Sequence, residues 1–254
     1  MGLSIACGVA FWDHAPDGAS GVPLLLLHGA GGTHRTWPAS LREMPGRRVL
    51  SVDLPGHGVA PPPGETTIAG YATCLLGMLD ALGIPRVVVA GHSMGGAIAL
   101  TLALEAPDRV AGLLLLGTGA RLRIAPALLE ASADPARRAE VSAMMAASCF
   151  GPAASEEVRQ VMARDLDGMA PGVLHGDFTA CDGFDAMERL GSVRPPCLVV
   201  VGQEDRLTPP KFAAFLRDRL PGKGMLVVPG AGHMVATEAP AAVTAAVAGF
   251  LEGA

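Results

Sequence analysis

Three residues of this chain could together perform nucleophilic catalysis. Ser93 stands in Gly91-His92-Ser93-Met94-Gly95, a G-x-S-x-G pattern, and Asp205 and His233 follow much later in the chain. A serine hydroxyl is a weak nucleophile; it needs a base beside it, and the base needs a carboxylate to orient it. The order Ser, Asp, His is the one expected when the serine sits on a sharp strand-to-helix turn. Such a turn strains the serine backbone, and glycine two places before and after leaves room where a Cβ would clash. Acyl transfer also needs two N–H donors about 3 Å from the developing negative charge. Candidates are the Met94 N–H, which opens the helix after the turn, and the Ala30 N–H in the loop His28-Gly29-Ala30-Gly31-Gly32-Thr33.

Other assignments compete. Glu204 adjoins Asp205 and is the alternative acid. His92 neighbours the nucleophile, but adjacent side chains on this turn diverge, so it reads as structural. His28 and His57 read as supports of their loops, whereas His14, His34 and His175 carry no signal. Asp182 and Asp185 read as caps or surface charges. A glycine-rich loop after a strand also suits a phosphate, but this one has neither the Walker lysine nor G-x-G-x-x-G.

The elements that must position these residues alternate along the chain. Apolar runs at 23–27, 48–52, 87–90, 110–116, 197–201 and 224–228 read as buried strands. Helical patterns lie between them, including Thr36–Met44, Thr67–Leu82, Pro210–Leu220 and a closing helix Glu238–Leu251. The alternation implies α/β architecture with a parallel sheet and right-handed crossovers. The rhythm breaks between 121 and 190, where apolar residues recur at helical spacing and predict about four inserted helices. An insertion at that sheet edge lies over the ligand crevice, so Met144, Met145, Met169 and Leu174 are candidates to face a substrate.

The composition narrows the function. Half of the 254 residues are apolar and 17% are charged, which suits a large core; a net charge of −5 gives no support for a nucleic-acid partner. Aromatic residues are 4% of the chain, so a pocket would be built mainly from Leu, Val, Met and Ala. The five cysteines are scattered, without metal-ligand spacing, and read as reduced thiols of a cytoplasmic protein. No signal peptide and no membrane partner are expected: the N-terminus lacks a basic region followed by an apolar one, and the most apolar stretch, 87–106, is explained by a strand and a helix. No metal and no cofactor are expected.

Five motifs together resemble those of the α/β-hydrolase superfamily: His28-Gly29 after a strand, Asp53-Leu54-Pro55-Gly56-His57-Gly58, Gly91-His92-Ser93-Met94-Gly95-Gly96, Gly202-Gln203-Glu204-Asp205, and Gly230-Ala231-Gly232-His233. The resemblance spans nearly the whole chain. It implies an eight-stranded, mostly parallel sheet flanked by helices, formed by 1–120 and 191–254, with 121–190 as a helical cap after the sixth strand. It also implies the triad Ser93, Asp205, His233. Serine at the turn disfavours the branches that carry aspartate there, and the absence of His-Gly-Gly-Gly disfavours the hormone-sensitive-lipase-like esterases. Small esterases and enol-lactonases look most similar. The expected activity is hydrolysis of a small to medium carboxylic ester or lactone through an acyl-enzyme. The alternatives are other chemistry on the same triad (C–C bond hydrolysis, thioester hydrolysis, perhydrolysis or a lyase reaction) and ligand binding without catalysis. The sequence leaves the oligomeric state open.

Overall fold

The computed structural model describes residues 2–222 and 224–253. Eight strands form one sheet: β1 (Gly2–Ala6), β2 (Val9–His14), β3 (Leu24–Leu27), β4 (Val49–Asp53), β5 (Val87–His92), β6 (Val110–Leu116), β7 (Cys197–Gly202) and β8 (Gly224–Val228). Their order is β1-β2-β4-β3-β5-β6-β7-β8, with β1–β2 and β2–β4 antiparallel and the remaining pairs parallel. The central strands are covered on both faces, which is why β3, β5 and β6 read as unbroken apolar runs rather than alternating ones.

Alternation divides each strand between two cores. Leu25, Leu27, Val87, Val89, Leu113 and Leu115 point to the face covered by α2 (Ile68–Ala81) and α3 (Met94–Glu105). Leu24, Leu26, Val88, Ala90, Leu114 and Leu116 point to the other, with Trp37 and with Leu41 of α1 (Ala39–Arg42). From Met94 to Ala103, α3 is buried throughout, as an apolar helix without a polar face must be.

Between β6 and β7 lie α4 (Pro126–Ser132), α5 (Arg138–Cys149), α6 (Glu156–Asp167) and α7 (Val173–Asp182). They share a small core of their own, including Val141, Met145, Phe150, Met162 and Phe178. After β7 come α8 (Pro210–Arg219), α9 (Val235–Glu238) and α10 (Pro240–Glu252).

Proline breaks one expected helix and resets the start of another. Thr36–Met44 is a 3-10 turn, His34–Thr36, followed by the short α1, because Pro38 cannot continue a helix. Trp37 and Leu41 are nevertheless fully buried, as expected. The expected closing helix Glu238–Leu251 is present as α10, which starts two residues later at Pro240 because Pro240 holds Ala239 out of the helical region (φ −133°, ψ 59°) and separates it from α9.

Candidate active site

The turn between β5 and α3 holds Ser93 at φ 53°, ψ −115°, a left-handed-side conformation that costs a non-glycine residue about 1–3 kcal/mol. The packing makes both flanking glycines necessary. A Cβ on Gly91 would overlap the Gly95 carbonyl, and one on Gly95 would overlap the Leu27 carbonyl of β3. The serine itself is held by its main chain: its N–H donates to the Leu116 carbonyl at 2.9 Å, and its carbonyl accepts from Thr118 Oγ1 at 2.8 Å.

Asp205 and His233 occupy the loops after β7 and β8, and their side chains meet: His233 Nδ1 lies 3.0 Å from Asp205 Oδ2. The carboxylate is otherwise saturated. Oδ1 accepts the N–H groups of Leu207 and Thr208, each at 2.9 Å, and Oδ2 also accepts Thr208 Oγ1 at 2.8 Å. Burial pushes the Asp205 carboxyl up, but His233 and the Thr208 hydrogen bonds outweigh it and leave it below the usual range. An ionised acceptor facing Nδ1 makes that nitrogen the donor, so Nε2 carries the free lone pair of the neutral ring.

The His233 backbone is equally constrained. Its N–H donates to the Cys149 carbonyl at 2.9 Å, and its own carbonyl accepts from His92 Nε2 at 2.9 Å. Burial, and then the nearby His233, lower His92 to about 3, so this ring is neutral and acts through hydrogen bonding. Glu238 ties the same loop to the end of α5, accepting from Gly151 N–H at 2.8 Å and Gly232 N–H at 3.1 Å.

Ala30 lies in the loop after β3. Gly32 N–H closes that loop on the Gly29 carbonyl at 3.0 Å. His28 supports it: Nδ1–H donates to the Gly29 carbonyl at 2.8 Å, while Nε2 accepts the Leu54 N–H at 3.0 Å. Among the described residues, neither the Ala30 nor the Met94 N–H is committed to a protein acceptor.

These parts border a cavity of about 330 Å³ between the sheet edge and α4–α7. Ala30, Ser93, His233, Met144 and Met145 are on its wall, with Leu128, Val158, Met162 and Phe178. Asp205 stands behind His233. Met94 is fully buried behind Ser93 and offers only its N–H. Among the described residues no hydrogen bond joins Ser93 Oγ to His233; such contacts commonly tighten only when substrate is bound.

Two of the expected pocket residues lie elsewhere. Met169 and Leu174 line a separate cavity of about 40 Å³. Met169 follows the end of α6, where its carbonyl is capped by Arg138, and Leu174 packs with Leu166 over Gly31, one turn of α7 before Phe178. Sequence reading also missed partners. Thr208 carries a local signal, three residues after an acid. His34, assigned no part, uses its N–H and Nδ1 on Asp53 at 2.6 and 2.9 Å. Asp177 stands in an apolar helix face with no local motif. Of the two acids read as caps or surface charges, Asp185 accepts the Met187 N–H at the start of the 3-10 turn Met187–Ser192, whereas Asp182, at the end of α7, accepts the Ile124 N–H from the loop before α4 and caps no helix.

Comparison with known proteins places this frame. The sequence profile of the alpha/beta hydrolase family matches residues 24–247. The chain belongs to that family, and it is a hydrolase. It is 30% identical over 241 residues to a pimeloyl-[acyl-carrier protein] methyl ester esterase of Neisseria meningitidis serogroup B, covering 90% of this chain and 92% of that protein. It is 34% identical over 248 residues to the dihydrolipoyllysine-residue acetyltransferase component of an acetoin cleaving system from Pseudomonas putida; the match takes in 92% of this chain but only 64% of that longer protein. A thermophilic esterase from Thermogutta terrifontis superposes with a TM-score of 0.85 at 29% identity, over 96% of this chain and 93% of the other. Among the described residues no helix is long and apolar enough to cross a membrane.

Proposed function

We propose that the protein hydrolyses a carboxylic ester or lactone of small to medium size through Ser93, His233 and Asp205. The observation that carries this reading is the fixed His233 ring. With Nδ1 bound to a saturated carboxylate and the backbone pinned on both sides, Nε2 is the one ring nitrogen left to act, on the wall that also holds Ser93.

In this mechanism the Ser93 hydroxyl proton passes to His233 Nε2 as Oγ attacks the substrate carbonyl carbon. The carbonyl oxygen becomes an oxyanion and takes the N–H groups of Ala30 and Met94. Collapse breaks the carbon–oxygen ester bond, and the leaving alkoxide takes its proton from His233. Water then gives a proton to the same nitrogen as it attacks the acyl carbon; the second tetrahedral intermediate breaks the bond to Ser93 Oγ, which takes the proton back from His233, and the acid leaves. Asp205 holds the ring's tautomer and stabilises the imidazolium, without itself taking the proton.

The cavity supports an apolar acyl or alcohol portion, with Met144 and Met145 as unbranched side chains that adapt to its shape. Residues 121–190 act as the cap that sets specificity. The five cysteines are all unpaired thiols, which supports a cytoplasmic setting. A series of p-nitrophenyl esters of increasing acyl length tests the reading. A burst of p-nitrophenol is expected, abolished in Ser93→Ala. Hydrolysis that persists at the wild-type rate in Ser93→Ala would overturn it.

A further inference from the structure

A second histidine–carboxylate pair lies behind the oxyanion loop. Asp177 of α7 and His57 of the turn after β4 are both completely inaccessible to solvent. The Asp177 carboxylate accepts hydrogen bonds from three different segments of the core. His57 Nε2 donates to Oδ2 at 2.8 Å, the Tyr71 hydroxyl of α2 donates to Oδ1 at 2.6 Å, and the Gly31 N–H donates to Oδ2 at 2.9 Å. Gly31 directly follows Ala30, so this last bond fixes the peptide adjoining the proposed oxyanion donor.

The neighbours of His57 define its protonation. Nδ1 lies 3.0 Å from the Pro55 carbonyl oxygen, and Nε2 faces the carboxylate. Both are acceptors, so both ring nitrogens carry protons and the ring is an imidazolium. Burial pushes His57 down, but the attraction and hydrogen bond of Asp177 outweigh it and raise the group above its ordinary value. The other groups facing the ring are Tyr71, His28 and Asp53. His28 stands 4.8 Å away between ring centres and is neutral, since Nε2 accepts the Leu54 N–H. Asp53 is occupied by His34 and by the Val59 N–H. Removing the His57 proton would therefore leave Asp177 as a buried charge without its counter-ion.

We propose that Asp177 is a positioning residue supplied by the cap: it holds the oxyanion loop in register through the Gly31 N–H, with the buried His57 imidazolium as its counter-ion. This rests on the reading of Ser93 and Ala30 given above. A second cap carboxylate reinforces the loop further along, where Asp165 of α6 accepts from Thr33 Oγ1 at 2.9 Å and from the Arg35 guanidinium at 2.8 Å. Docking of α7 and competence of the oxyanion loop thus become one event.

The test is the kinetics of Asp177→Asn beside those of Tyr71→Phe. The amide is neutral and keeps one acceptor oxygen for three donors, so it removes the counter-ion of His57 and weakens the Gly31 bond, whereas Tyr71→Phe takes one donor from the carboxylate and leaves the Gly31 bond. Asp177→Asn is expected to lower kcat roughly 10–100-fold with KM within about threefold, as for a misplaced transition-state contact, and Tyr71→Phe to lower Tm with a much smaller loss of kcat. Equal effects of the two variants on kcat, measured where both are folded, would overturn the proposal. If Asp177→Asn does not fold, NMR of the 15N-histidine-labelled wild-type protein decides: two ring N–H protons on His57 near neutral pH are expected, and one alone refutes the imidazolium. Ser93→Ala is assayed in parallel. Full activity there sinks the esterase reading itself, whereas lost activity there with matching Asp177→Asn and Tyr71→Phe sinks only the positioning role.

Discussion

Two buried histidine–carboxylate pairs flank this site, and they are built for opposite ends. In His233–Asp205 only Nδ1 is engaged, at 3.0 Å, and the ring borders the cavity. In His57–Asp177 both nitrogens are engaged and the pair is sealed off, with the carboxylate contributed by the cap. An imidazole with one nitrogen left open can accept and return a proton. One with both nitrogens bound to acceptors holds its proton and serves as a fixed charge. The chemistry of the residue types is the same; the number of acceptors around each ring separates the proposed base from the proposed strut.

That contrast can be broken experimentally. Asp205→Asn removes the carboxylate that fixes the His233 tautomer and is expected to lower kcat roughly 10⁴-fold, with folding preserved in circular dichroism; a kcat within tenfold of wild type would place the acid elsewhere, Glu204 first. His57→Gln removes the counter-ion of Asp177 and is expected to destabilise by about 3–5 kcal/mol in urea unfolding, the usual result of breaking a buried pair from one side. A change below about 1 kcal/mol would mean that the pair carries no net charge separation.

The pH dependence of stability sharpens the same comparison. His57 is raised in the folded state, so its contribution is complete below about pH 6.5, the unfolded value, and is lost as pH rises through the folded one. His28 and His92 are lowered, by burial first, to about 4 and about 3; their contributions are present above about pH 6.5 and lost as pH falls through those values. Urea midpoints should therefore fall on both sides of about pH 6.5, and the alkaline limb should flatten in His57→Gln. The smallest effect belongs to Thr208→Val, which deletes one hydroxyl donor to Asp205 and should cost about 1.5 kcal/mol of stability by thermal denaturation.

The sequence announced the first pair and was silent on the second, for a physical reason. Ser93, Asp205 and His233 each sit at the end of a buried strand, so strand pattern and loop chemistry reveal them together. The strands follow from unbroken runs such as Val87–Val89 and Leu113–Leu116, which only a two-sided core can accept. Asp177 meets His57 across 120 residues, from a helix whose docking depends on tertiary packing rather than on local pattern. The same difference explains the pocket. Helical spacing marked Met144, Met145, Met169 and Leu174 alike as apolar cap residues, but which side of a helix faces the cavity is set by how the helices cross. Proline was legible as a breaker, yet Pro38 and Pro240 lay inside runs whose apolar periodicity continued through them.

The carbonyl of Cys149 gives the cap a further significance for engineering. That one oxygen, at the end of α5, takes the N–H groups of both His233 and Met234. A segment 121–190 exchanged wholesale for that of a relative would carry away an anchor of the proposed base, His233, along with part of the cavity wall. Redesign of substrate preference is better directed at single side chains on the cavity wall, such as Leu128, Met144 and Val158, with the backbone of 149–151 kept intact. In this molecule residues 121–190 and the loops at the sheet edge are not interchangeable parts but halves of one hydrogen-bonded joint.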